Sequence, residues 1–168
     1  MNKKTERIAL YGLCIALAFV LSYIEFLIPI QAMVPGMKLG LTNLVVIFAL
    51  YRMGEKSAFV VNVVRMLLVS FTFGNMKSLL YSLAGGILSY VVMIVLKRVK
   101  SFGMVTVSVA GGIFHNVGQI LVAMAIVETT AIIWYLTVLF FTGILSGFFV
   151  GFISWMIIKK IPGNIEEF

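Results

Sequence analysis

The chain has 168 residues, 62% of them hydrophobic and only 11% charged, and its mean hydropathy of +1.14 lies far from the balanced composition of water-soluble domains. A domain of this size buries roughly two thirds of its unfolded surface, so the apolar excess excludes a soluble globule and makes lipid the solvent. One cysteine, one histidine and six acidic residues that are all glutamates exclude an internal disulfide, a self-contained metal or haem centre and the aspartate clusters that hold magnesium diphosphate.

A spanning helix needs about 20 predominantly apolar residues, and polar or glycine- and proline-containing breaks divide the chain into six apolar segments. The first, Ile8 to Ile28, follows the charged stretch Asn2 to Arg7 and superficially resembles a signal peptide. It has no small-residue cleavage site and runs into Glu25 and Pro29, so it is read as a permanent helix. Gly12 and Ala16 make a small-xxx-small unit beside the row Cys14, Ala18, Ser22. Such units let helix backbones approach closely, either within the bundle or where a separate membrane subunit docks. Cys14 reads as a small packing residue.

Residues 29–38 are expected to form an extracellular loop, and the wider stretch to Gly40 holds two prolines, two glycines and Lys38. It is either a gate over a pocket opening outward or a plain connector. The second segment, Leu39 to Tyr51, is too short to cross comfortably and places Asn43 near the outer surface. The third, Ser57 to Phe73, carries Arg65 near its middle, where an unpaired charge costs about 2.5–3.5 kcal/mol on insertion scales. Either Arg65 is structural, paired with Glu25 or reaching to an interface, or its planar fork faces an anionic carboxylate or phosphate. Asn62, three positions earlier, shares its helical face.

The fourth segment, Ser78 to Leu96, contains Gly85 and Gly86. In the fifth, Met104 to Val127, His115, Asn116 and Gln119 fall within about one turn, one turn after Gly111 and Gly112. They form either a polar cavity or a helix-to-helix network reaching Asn43 or Asn62. The sixth, Ala131 to Ile158, is long enough to tilt or bend, and Gly143, Gly147 and Gly151 mark a packing groove along it.

With six spans, Lys3, Lys4, Arg7, Arg52, Lys56, Lys97, Arg98, Lys100, Lys159 and Lys160 collect on one side, and Lys38 and Lys77 on the other. That asymmetry predicts a multi-pass cell-membrane protein with both termini cytoplasmic. The net charge of +7 then follows from topology and anionic lipid headgroups, so no nucleic-acid partner is expected.

The run Leu10-Tyr11-Gly12-Leu13 through Ile28-Pro29, then Pro35-Gly36-Met37-Lys38-Leu39-Gly40-Leu41-Thr42-Asn43, Gly85-Gly86 and Gly112-Ile113-Phe114-His115-Asn116-Val117-Gly118-Gln119 resembles the Gx transporter family, whose members often carry the name heptaprenyl diphosphate synthase component I. That family is similar to the substrate-binding S components of energy-coupling factor (ECF) vitamin transporters. The resemblance implies a six-helix membrane bundle that binds a small molecule on the extracellular side. It also implies docking, through small residues of the first helix, onto a transmembrane coupling subunit bearing two ATPases. Family members are similar, too, to a membrane protein encoded with flavin- and quinone-linked extracellular electron-transfer systems.

The first expectation is therefore an all-α integral membrane bundle of six transmembrane helices forming one domain over residues 1–168, and a non-enzymatic binding and transport subunit that takes an anionic or polar-ring ligand near the bilayer midplane. Its ligand residues would be Arg65, Asn62, His115, Asn116, Gln119 and Asn43, its partner-docking residues Gly12 and Ala16. No Gly-rich loop ending in Lys-Ser/Thr is present, so ATP energy would come from a partner, and no cofactor is required. The second expectation is a subunit of an electron-transfer complex with a membrane-anchored redox partner, in which the same polar residues hold a flavin or quinone. The third is a non-catalytic partner of a prenyl diphosphate synthase.

Overall fold

In hydrocarbon every backbone N–H and C=O must find its partner within the protein, which leaves the α-helix as the form for isolated apolar runs. The structure, a computed structural model describing residues 3–28, 40–99 and 101–161, is all helical apart from short turns within those residues. Six α-helices follow in order: α1 Lys3–Leu27, α2 Leu41–Arg52, α3 Glu55–Thr72, α4 Met76–Arg98, α5 Met104–Val127 and α6 Tyr135–Lys160. A single 3-10 turn, Thr130–Trp134, precedes α6, so the sixth apolar segment is broken near its start. The break begins where Glu128 takes a left-handed conformation, φ 54°, and ends α5. The proposed loop gate, residues 29–38, lies outside the described residues.

Among the described residues, four stretches are long and apolar enough to cross a membrane: Thr5–Leu27, Met76–Arg98, Met104–Val127 and Thr130–Lys160. The 12 residues of α2 reach only about 18 Å. The 18 residues of α3 include Glu55, Lys56 and Arg65, which lower its hydropathy. Both are tolerated because protein, rather than lipid, surrounds much of them. Val45, Val46, Ile47, Ala49 and Leu50 of α2 are essentially inaccessible, and Ala58 and Val61 of α3 join them in the core. A helix apolar on nearly all sides belongs inside a bundle, and α2 packs against α1, α3 and α6.

Contacts between helix ends show that the helices alternate in direction. Tyr11 of α1 donates to Ser57 Oγ of α3 at 2.7 Å, and Lys97 of α4 donates to Leu50 O of α2 at 2.6 Å. The Tyr90 hydroxyl donates to Glu55 O at 2.5 Å. Arg52 donates through Nη2 to Ile158 O at 2.6 Å and also to Ile161 O. These bonds gather the start of α1, the end of α2, the start of α3 and the ends of α4 and α6. Arg7, Arg52, Lys56, Lys97, Arg98, Lys159 and Lys160 all belong to this end, whereas Lys77 begins α4 at the other.

Arg52 thus supplies the donors that the last turn of α6 lacks, as the final carbonyls of any helix have no intrahelical partner. Arg52→Met is expected to cost about 1 kcal/mol by removing the donor to two partly buried carbonyls. Hydrogen exchange should show faster exchange at residues 157–161 than in the rest of α6.

Arg98 and Glu55 form an exposed ion pair, Nη2 to Oε2 2.8 Å. The Arg98 guanidinium holds the Glu55 carboxyl below its ordinary value of 4.5. A carboxyl lowered in the folded state stabilises above its unfolded value, and that contribution disappears as pH falls through the folded value. Glu55→Gln should therefore lower the melting temperature slightly at neutral pH and low salt. The difference should close below pH 4.5 and at high salt, as for any exposed pair.

The small residues of α6 face α5. A Cβ on Gly147 would lie 2.7 Å from Val109 Cα, and one on Gly151 2.6 Å from Ser108 Cβ. A Cβ on Gly143 would come within 3.1 Å of the Gly112 backbone. The absence of side chains there allows the Ser108 hydroxyl to donate to Gly147 O at 2.7 Å across the interface. Gly12 and Ala16 differ: both are exposed on α1, and a Cβ on Gly12 would meet nothing within 4 Å. Cys14 lies on the buried side of the same helix, its sulfur 3.7 Å from that of Met53.

Candidate functional site

At the end of the bundle opposite the cationic cluster, all six helices contribute to a cavity of about 190 Å³. It extends from Gly112 and His115 of α5 to Gly40, Gly74 and Asn75 at helix boundaries. Its volume is below the range of about 300–1,000 Å³ usual for drug-sized ligands, so it suits a small molecule.

Arg65 projects from α3 into the lining and is only 8% exposed. Its Nε and Nη2 donate to Asn62 Oδ1 at 3.2 and 3.0 Å, and Nη2 also reaches Asn43 Oδ1 at 3.3 Å. Nη1 takes no acceptor among the described residues. The three-residue spacing within α3 puts Asn62 beside the guanidinium. Asn62 is fixed in turn because its Nδ2 donates to Gly86 O of α4 at 3.2 Å. Gly86 makes that approach possible, since a Cβ there would meet Met66 Sδ at 2.6 Å and Asn62 Nδ2 at 3.5 Å. The guanidinium is therefore held by two neutral amides.

Glu25 also lines the cavity and is 8% exposed. The pairing of Glu25 with Arg65 considered from sequence does not form as an ion pair within 4 Å. Instead Glu25 Oε1 accepts from the Gly40 N–H at 2.6 Å, and Oε2 accepts from the Thr42 hydroxyl at 3.2 Å. Gly40 has φ 71°, a left-handed conformation that suits glycine, and this places its N–H toward the carboxylate at the start of α2.

Of the six ligand candidates, Arg65, Asn43, His115 and Asn116 line the cavity. Asn62 and Gln119 do not: Asn62 stands behind Arg65, and Gln119 is buried against Gly85, where a Cβ would lie 3.0 Å from its Cγ. The alternative network from α5 to Asn43 or Asn62 takes a different course for Asn116, whose Nδ2 donates to Leu139 O of α6 at 2.6 Å. The two asparagines serve Arg65 instead. Ser22, Thr42, Ser78, Ser82 and Ser146 also line the cavity and were not among the ligand residues expected from sequence, because isolated hydroxyls are ordinary in membrane helices. Glu25 was noticed there only as a possible partner for Arg65.

The apolar part of the wall includes Phe26 and Phe73. Phe73 packs against Phe26, Phe19 and Tyr23 with ring centroids 5.3, 5.4 and 5.6 Å apart. Among the described residues, no group of three or more histidines, cysteines or carboxylates could hold a metal ion. The cavity thus combines a buried cation, a buried carboxylate, amides, hydroxyls and aromatic rings.

No curated protein and no solved structure is significantly similar to the chain. The family described as heptaprenyl diphosphate synthase component I matches residues 14–157, and the chain belongs to that family.

Proposed function

We propose that this membrane protein is a non-catalytic binding and transport subunit, resembling the S component of an ECF-type transporter, that takes a small molecule with an anionic group into its cavity. The observation that carries the reading is Arg65, a buried guanidinium oriented by Asn62 and Asn43 beside a cavity and lacking an ion pair with Glu25. A buried charge whose hydrogen-bond partners are neutral, with Glu25 acting on it only from beyond ion-pair distance, is costly, and an anionic ligand would compensate it through charge-assisted bonds. His115 and Asn116, which also line the cavity, would contact the remainder of the ligand, while Gln119 supports α5 against α4.

The cationic residues at one end of the bundle support an orientation with that end, and both termini, in the cytoplasm. The cavity then lies toward the outside. Gly12 and Ala16, exposed on α1, would give a transmembrane coupling subunit with ATPases a close-packing surface.

The function is tested by accumulation. Cells expressing the chain with its coupling partners are expected to concentrate, at the expense of ATP, the small molecule that copurifies with it, and Arg65→Met should abolish uptake. Copurification of a reducible flavin or quinone without ATP-dependent uptake would instead establish an electron-transfer subunit. A chain that carries no ligand and alters a soluble prenyl synthase when added back would establish the third role.

A further inference from the structure

Glu25 and Arg65 line the same cavity, are equally buried and have opposite charges, yet do not pair. In a low-dielectric interior two such charges gain several kcal/mol on approaching to about 4 Å. Here each is retained by its own neutral partners, Glu25 by Gly40 and Thr42 and Arg65 by Asn62 and Asn43. Because Gly40, Thr42 and Asn43 are three of four consecutive positions at the start of α2, one short segment holds the two charges apart. A purely anionic ligand would be drawn to Arg65 and repelled by Glu25. A molecule carrying both signs would satisfy both without adding net charge to the bundle.

The aromatic wall supports the same polarity. Phe26 and Phe73 line the cavity with Glu25, and a carboxylate together with aromatic rings is suited to an ammonium group.

Resting on the transport reading above, the geometry points to a small zwitterion as the ligand class, with its carboxylate or phosphate on Arg65 and its ammonium group at Glu25, Phe26 and Phe73. The separation of the two charges is the selective element. It favours molecules of both signs and rejects those of one sign through an unsatisfied buried charge.

The test uses the full chain in lipid nanodiscs and matched probes: L-amino acids with uncharged side chains as zwitterions, their N-acetyl forms, which keep only the anion, and their methyl esters, which keep only the cation. Equilibrium binding should favour at least one zwitterion over both of its single-charge counterparts by about tenfold or more. Glu25→Gln should erase the preference over the N-acetyl form while preserving Arg65-dependent binding of that form. Equal or tighter binding of the N-acetyl probes to the unaltered chain would overturn the zwitterion assignment and leave an anion-binding subunit standing. Absence of Arg65-dependent binding for every probe would overturn both. The comparison of probes on the unaltered chain decides the matter even if Glu25→Gln fails to fold.

Discussion

Arg65→Met is expected to weaken binding of the ligand by at least about 100-fold, since two charge-assisted hydrogen bonds at about 1.5–3 kcal/mol each are lost. The melting temperature should fall moderately, since the buried Asn62 Oδ1 loses its donors at a cost of about 1–3 kcal/mol, although Asn62 keeps its bond to Gly86 O. Asn62→Ala, which removes that acceptor and leaves the guanidinium in place, should lower the melting temperature with a much smaller loss of binding, which separates a binding residue from a structural one. Arg65→Lys should not restore affinity: an ammonium is a point donor and cannot engage Asn62 and a planar anion together as the fork does. Isothermal titration with the copurifying ligand, alongside thermal melting of the same preparations, reads both quantities.

The second large effect concerns stability. Gly147→Val is expected to destabilise the bundle by about 3 kcal/mol, because the first atom added would already lie 2.7 Å from Val109 Cα and 2.8 Å from Ser108 O. Those are backbone atoms of α5, and they yield only if the two helices separate. Gly118→Val should behave similarly against α4, where a Cβ would lie 2.7 Å from Ala84 O and 2.8 Å from Gly85 Cα. Gly12→Val, on the open face of α1, should stay within about 0.5 kcal/mol of the parent. If that face docks a coupling subunit, the same substitution should reduce complex formation while the isolated protein melts normally. Chemical denaturation in detergent measures the first effect and co-purification with the coupling subunit the second.

These glycines show what hydropathy and spacing could convey. The pattern of small residues four apart is the same at Gly12 and Ala16 as at Gly143, Gly147 and Gly151, yet one pair is exposed and the other series meets α5. Spacing identifies a groove and leaves its occupant undetermined. Helix positions were legible because apolar runs and polar breaks are strong signals: the fifth segment coincides with α5, while the others shift by up to five residues. The largest shift, at the start of α1, arises because Lys and Glu are good helix formers and extend the helix beyond its apolar part. The break at Thr130–Trp134 was hidden, since its residues are as apolar as those of α6.

The cavity was legible where polar side chains stand out against hydrocarbon-like sequence, as Arg65, Asn43, His115 and Asn116 do. Its hydroxyls were not. Ser22, for example, donates to Ala18 O at 2.9 Å within its own helix, a local bond that makes such residues acceptable almost anywhere along a membrane helix. The relation between Glu25 and Arg65 was half legible: their opposite charges suggested contact, but only the folded chain brings Gly40, Thr42 and Asn43 between their competing claims.

Native mass spectrometry after gentle extraction from the membrane tests most directly whether the cavity is a binding site centred on Arg65. The expected result is one small molecule bound per chain in the parent protein and the bare chain mass in Arg65→Met, with both proteins folded. A bare mass for the parent, or the same bound mass retained by Arg65→Met, would contradict it.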